Sequence, residues 1–153
     1  MGGALIAGLS VWLMFVPQER TPATESLAMM AHWRCQVWSG MIGDEEAALT
    51  HFDRGYASGK RFVAAVRAGQ IDQTDFDNTV PVYISLSLQG PSDDFVLGRL
   101  YEMTMEEAYD KIVTRGKDGV PLHPSDYVMD SAVQSVMAGD LIGSSNCTAL
   151  RGS

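Results

Sequence analysis

Apolar residues recur at helical spacing over most of the chain, and the pattern is clearest between residues 92 and 115. Ser92 is a favourable N-cap, and the two aspartates after it place negative charge where free N–H groups and the helix dipole favour it. Residues 95–103 are apolar on nearly every side, so we expect this helix to be central and buried on more than one side. Its second half has one apolar stripe, formed by Tyr101, Met105, Ala108 and Ile112. Leu97 extends this stripe toward the N-terminus.

Two more amphipathic helices are predicted nearer the N-terminus. The first runs from residue 24 to about residue 41, and its apolar face consists of Leu27, Met30, Ala31, Trp38 and Met41. The second runs from residue 45 to residue 68, between an N-cap at Asp44 and a stop at Gly69. Its buried face includes Gly55 and Gly59, which each cost roughly 1 kcal/mol of helix stability relative to alanine. We expect these two glycines to permit the close approach of a neighbouring backbone.

Residues 80–89 alternate between apolar and polar side chains, which is typical of a strand. A strand needs a partner, however, and no second convincing strand pattern occurs in the sequence. Asn78 or Thr79 could instead cap a helix that has Pro81 in its first turn. We therefore predict a short helix here, since a strand would have to pair with another chain.

A last helix is predicted from Ser125 and Asp126 to about residue 142, after a loop that contains two glycines and two prolines. Its apolar stripe consists of Met129, Ala132, Val133 and Val136. Taken together, the patterns predict an all-α fold, a single-domain bundle of about five helices around the central helix near residues 92–115.

Residues 4–16 contain no charged side chain and predict a leader segment. As a helix they would span roughly 20 Å, less than the hydrocarbon core of about 30 Å, so they suit a signal peptide. The first three residues carry no Lys or Arg, and Pro22 lies in the cleavage region, so a retained membrane anchor stays open. The chain is thus divided into a signal peptide or anchor at 1–23 and a helical domain at 24–153.

Length and charge limit the classes of partner. The chain has 153 residues and a formal net charge of -8, which suits one folded domain with an acidic surface. Nucleic acids and anionic membranes attract basic surfaces, so we expect neither to bind through charge. A protein partner with a basic surface would suit this chain better.

Cys35 and Cys147 are the only cysteines, and they follow a secretory-type leader. In an oxidising compartment they would form a disulfide between the first helix and the C-terminal tail. Chain-entropy arguments give such a long loop roughly 4–5 kcal/mol of stabilisation as an upper figure.

The candidate catalytic residues are Glu102 and Glu106, which with Asp110 lie four residues apart on one helix face. Paired carboxylates can act as general acid and base, although such a row is more often a solvated face with local salt bridges. Arg99 and Glu102 fall within the half that is apolar on nearly every side. They are therefore a candidate buried charge pair.

The remaining sequence motifs do not predict a metal site or a phosphate-binding site. His32, His51 and His123 lack metal-ligand spacing, and the glycine-rich segment at 55–60 lacks the spacing and hydroxyl residue of a phosphate-binding loop. We predict no cofactor and no metal.

The function we expect is that of an exported protein of the periplasm or envelope, anchored in the inner membrane if the leader is retained. The leading hypothesis is a non-catalytic protein that binds another protein, as an inhibitor, an immunity protein or an accessory or assembly factor. The alternatives are a small cell-envelope hydrolase that uses Glu102 or Glu106, and a membrane-anchored structural protein. A leader, few helices and two distant cysteines are together similar to many small exported bacterial or phage proteins. The sequence predicts no particular oligomeric state.

Overall fold

The computed structural model describes residues 21–116 and 118–152, and this part of the chain is helical without strands. Its helices are α1 (Thr24–Met41), α2 (Glu45–Arg67), α3 (Gln73–Asn78), α4 (Val82–Leu86), α5 (Asp93–Val113), α6 (Ser131–Ser144) and α7 (Cys147–Leu150). The predicted all-α, single-domain class with a central helix is confirmed. Residues 1–20, which hold most of the predicted leader and the possible membrane anchor at 4–16, lie outside the described residues. None of the described helices is both long enough and apolar enough to cross a membrane.

Helices α2 and α5 begin where local chemistry predicts, and α2 also ends there. The side chain of Asp44 accepts a hydrogen bond from the Ala47 N–H at 3.0 Å, which caps α2, and Ser92 caps α5 in the same way through Phe95. Gly69 follows α2 with a φ of +66°, the left-handed conformation that glycine adopts without strain.

Two hydrophobic clusters lie along α1. One joins the first half of α1 to α2, α4 and the first half of α5, and includes Met29, Trp33, Phe62, Ile84 and Leu100. The other joins the second half of α1 to the second half of α5 and to α6 and α7, and includes Trp38, Ile112, Ala138 and the two cysteines.

The glycines of α2 make room for side chains rather than for a neighbouring backbone. A Cβ atom on Gly55 would lie 2.4 Å from Cδ1 of Trp33. On Gly59 it would lie 2.7 Å from Cδ2 of Leu97 and 2.9 Å from Sδ of Met29. The expectation of close backbone approach was wrong in this respect, because large side chains of α1 and α5 fill the space.

The central helix α5 is buried along one side only, contrary to the expectation for residues 95–103. Val96, Leu97 and Leu100 are buried, while Gly98 and Glu102 are exposed and Phe95 is 51% exposed. The reason is that α1 and α2 pack against the same side of its first half, so that the opposite side faces solvent.

Within residues 80–89 the structure has a short helix, α4 (Val82–Leu86), despite the alternating pattern. The alternating apolar residues separate into two sets. Val80, Ile84 and Leu88 are buried, whereas Val82 and Leu86 are 71% and 78% exposed. Within α4, Ile84 faces the core while Val82 and Leu86, two positions to either side, face solvent, so burial does not follow the period of two that a strand would give.

The last long helix differs from the prediction in both its start and its buried face. Residues Pro124–Asp126 form a 3-10 turn, and α6 begins at Ser131 with Asp130 as its N-cap. The predicted apolar stripe faces solvent, while Met137 and Ala138 are the buried residues. Because α6 is apolar on nearly all sides, with Asp140 its only charged residue, periodicity cannot choose the buried face.

Candidate functional site

Cys35 in α1 and Cys147 at the start of α7 are joined at disulfide distance, with 2.01 Å between their Sγ atoms. The bond connects positions 112 residues apart and ties the end of α6 and α7 to the middle of α1. Both cysteines are buried beside Trp38 and Ala138. This covalent link is compatible with an oxidising, exported environment.

The candidate catalytic carboxylates do not lie at the bottom of an open cleft. Both Glu102 and Glu106 are exposed on α5. Glu106 borders a shallow groove of about 320 Å³ together with Tyr83, Met103, Glu107 and Asp110. General acid–base catalysis needs a carboxyl group within reach of a substrate held in a cleft, and these two side chains face solvent. The hydrolase hypothesis therefore gains no support from their positions.

Arg99 has backbone partners in place of the predicted buried partner Glu102. Its Nη2 donates to the carbonyl oxygen of Ser87 and, at 2.6 Å, to that of Gln89, while its guanidinium lies 5.5 Å from the ring centre of Phe95. Because Glu102 is exposed, the two residues do not form a buried charge pair. Arg99 instead binds carbonyl groups at the C-cap of α4, Ser87, and at Gln89 in the segment that follows.

A partly buried ion pair that the sequence analysis missed links α1 to α5. Nη2 of Arg34 lies 2.7 Å and 3.0 Å from the two carboxylate oxygens of Glu107, and Nζ of Lys111 lies 3.3 Å from the same carboxylate. Burial alone would raise the pKa of Glu107, but the hydrogen bonds and charge of Arg34, helped by Lys111, hold that pKa below its usual value. Glu107 and Lys111 are four positions apart, so their pairing can be predicted from the sequence. Arg34 lies on another helix, and only the packing of α1 against α5 places it beside Glu107.

Two buried histidines also meet across the interface of α1 and α2. Nδ1 of His32 lies 3.0 Å from Nδ1 of His51, and both rings are about 1% exposed. Burial and the positive charges of Arg151 and Arg54 lower the pKa of His51, and Asp44 opposes them. Among the described residues no group of three or more His, Cys, Asp or Glu could hold a metal.

An exposed apolar surface lies on the outer side of α6 and at Met129, two residues before the helix begins. Met129, Val133 and Val136 are 73%, 45% and 61% exposed, and Ala132 is exposed between them. We call these four residues the α6 surface. Scattered exposed apolar residues are normal, but several adjacent ones on one helix face are typical of interaction sites.

The α6 surface lies in an acidic part of the chain. From residue 118 to residue 150 the sequence contains no Lys or Arg. Over the same range it contains four aspartates, all exposed: Asp118, Asp126, Asp130 and Asp140. The four carboxylates therefore carry the formal charge of this stretch of the chain.

A cleft between α5, α6 and the residues Arg115, Gly116 and Gly119 adjoins the α6 surface. It has a volume of about 570 Å³, and Met137 and Leu141 provide its apolar lining. Asp110 and Asp140 also line it, together with Lys111, which pairs with Glu107. Val133 and Met137, like Val136 and Asp140, are four positions apart on one helix, so the cleft and the α6 surface share an edge.

The chain matches no protein-family model, no curated protein sequence and no solved structure to which it was compared. Arguments about function therefore depend on the residues and geometry described above.

Proposed function

We propose that this chain is an exported, non-catalytic protein of the cell envelope that binds another protein through the α6 surface. Inhibitors, immunity proteins and accessory or assembly factors are the classes that suit such an activity. The observation that carries the proposal is the outward face of α6, where Val133 and Val136 lie exposed one turn apart, with Met129 exposed two residues before the helix.

Burial of this apolar face would contribute enough free energy to offset part of the cost of association. Complete burial of a Val or Met side chain contributes about 1.5–3 kcal/mol, so three such residues offer several kcal/mol against the cost of association. The disulfide between Cys35 and Cys147 limits motion of the segment that follows α6. A surface that is held in place before binding loses less entropy when the partner arrives.

Export has two independent supports. Residues 4–16 have the length and composition of the apolar part of a signal peptide. The cysteine pair is compatible with an oxidising compartment, such as the bacterial periplasm. The mass of the mature protein tests both features together, because cleavage removes the leader and disulfide formation removes two hydrogen atoms. A mature form that keeps residues 1–16 would favour a membrane-anchored protein.

The binding proposal is tested by affinity capture of the full chain from a bacterial envelope extract. Val133→Ser with Val136→Ser removes apolar area from the α6 surface without a change of charge. Val82→Ser with Leu86→Ser is the matched control, since those residues are exposed on α4 in the other part of the molecule. We expect a partner that is retained by the control variant and lost by the α6 variant. Equal capture by both variants would contradict the proposal.

A further inference from the structure

We propose that the partner of the α6 surface is a basic amphipathic helix, whose apolar stripe is flanked by Lys or Arg. This inference rests on the proposed binding function and adds the chemistry of the partner. It combines three observations on one side of the molecule: exposed apolar residues on α6, a run of aspartates without cations, and an adjoining cleft.

Charge complementarity selects a basic partner. Asp126, Asp130 and Asp140 lie exposed around the α6 surface, and no Lys or Arg occurs between residues 118 and 150. A cationic rim would be attracted to this region, and an acidic one would be repelled. A second copy of this chain would bring the same aspartates together, so self-association through this face is disfavoured.

The spacing of the apolar residues selects a helix. Val133 and Val136 are three positions apart on α6, so they lie on one face of the helix, and Met129 lies two residues before its start. The 14 residues of α6 extend over about 21 Å. Four turns of a partner helix, with apolar anchors at similar spacing, would match this length.

The cleft offers a place for one anchoring side chain of the partner. Its volume of about 570 Å³ lies within the range of about 300–1,000 Å³ that is usual for binding pockets. Met137 and Leu141 would contact an apolar anchor, and Asp110 and Asp140 would attract a neighbouring cation. The cations of the cleft already have partners within the chain, since Lys111 pairs with Glu107 and Arg115 donates to the carbonyl of Gly119.

The probe for this inference is a synthetic 18-residue helix of Leu and Lys with one apolar face, titrated into the full chain. A shuffled peptide of the same composition and a Leu/Glu helix are the control peptides. We expect the Leu/Lys helix to bind at least tenfold more tightly than either control. We also expect Asp130→Asn with Asp140→Asn to weaken binding and to reduce its dependence on salt.

Variants of the apolar residues complete the test. Val133→Ser with Val136→Ser should weaken binding of the Leu/Lys helix at least tenfold, while the α4 control, Val82→Ser with Leu86→Ser, changes it less than twofold. Met129→Ser should weaken it about threefold or more. Met129 precedes α6 and is 73% exposed, so this variant should remain folded.

The outcomes separate this inference from the proposed function. If the shuffled peptide binds as tightly as the helix, the attraction is one of charge alone and the inference is overturned. If the helix fails to bind while envelope capture still depends on Val133 and Val136, the surface binds another kind of partner and only this inference fails. If neither the capture nor the titration depends on those residues, both proposals fail.

Discussion

Nδ1 of His32 faces Nδ1 of His51 at 3.0 Å inside the interface of α1 and α2, so one ring donates and the other accepts. Two fully protonated rings cannot make this contact, because both nitrogens would then be donors. The pair lies near the C-terminal segment, where Arg151 reaches Asp44 at 3.8 Å and Arg54 donates to the carbonyl of Leu150 at 3.5 Å. The histidine pair therefore lies beside the C-terminal segment that the disulfide links to α1.

Stability should fall when the solution becomes mildly acidic. The pKa of His51 is lower in the folded protein than in the unfolded chain, so the unfolded chain takes up its proton first, below about pH 6.5. This contribution to the free energy of unfolding is present above that pH and is lost as the pH falls towards the folded pKa. Urea unfolding from pH 7.5 to pH 5.5 measures it.

The matched comparison for this pH effect uses two single variants. His51→Gln should flatten the decline between pH 7.5 and pH 5.5, whereas His123→Gln, at an exposed position, should leave the profile of the wild type. An unchanged slope in His51→Gln would show that the buried pair does not cause the decline.

Loss of the disulfide should cost about 2–5 kcal/mol of unfolding free energy, because the bond limits the unfolded chain and fastens α7 to α1. Cys35→Ala with Cys147→Ala removes it, and urea unfolding measures the change. Addition of a reductant should lower the stability of the wild type and leave the double variant unaffected. Equal stability of the wild type and the double variant would contradict a structural role for the bond.

The ion pair of Arg34 and Glu107 should contribute more than an exposed pair does. Its side chains are 25% and 36% exposed, so a double-mutant cycle with Arg34→Met and Glu107→Gln should give about 1–2 kcal/mol, between the exposed and buried ranges. Arg67 and Asp93, at 46% and 57% exposed, are the matched control and should couple by less than about 1 kcal/mol. Coupling no stronger than in the control would contradict the packing described here.

Gly55→Ala should destabilise the protein by about 1–3 kcal/mol, because the new Cβ would overlap the indole of Trp33. Gly98→Ala is the control, since nothing lies within 4 Å of its ideal Cβ in the middle of α5. That change should stabilise the protein by up to about 1 kcal/mol through helix propensity. Thermal unfolding of both variants checks the prediction, and equal effects of the two changes would argue against the tight contact.

Much of the fold could be predicted because helix ends depend on nearby residues. Asp44, Gly69 and Ser92 act on the backbone within a few positions, so the ends of α2 and the start of α5 follow from sequence. The face that α6 buries could not be predicted, because its apolar residues surround the helix. Which face of α6 becomes buried depends on how α6 packs against α1 and α5, and that packing is a property of the assembled fold.

The candidate site was harder to predict for the same reason. His32 and His51 belong to different helices, and only the packing of α1 on α2 brings their rings together. Arg99 was expected to meet a carboxylate on its own helix, but the carbonyls at the end of α4 are nearer. The residues of the α6 surface form an apolar stripe in the sequence, and such a stripe usually faces the core, so the pattern predicts burial where the structure has exposure.

The proposed binding role is tested most directly by a photo-crosslinking amino acid at position 136 of the full chain, produced in a bacterium that exports it. Position 86 carries the same group in a matched control, because Leu86 is exposed on α4. We predict a discrete crosslinked species with an envelope protein from position 136 that is absent from position 86. No crosslink from position 136, or the same species from both positions, would contradict binding through the α6 surface.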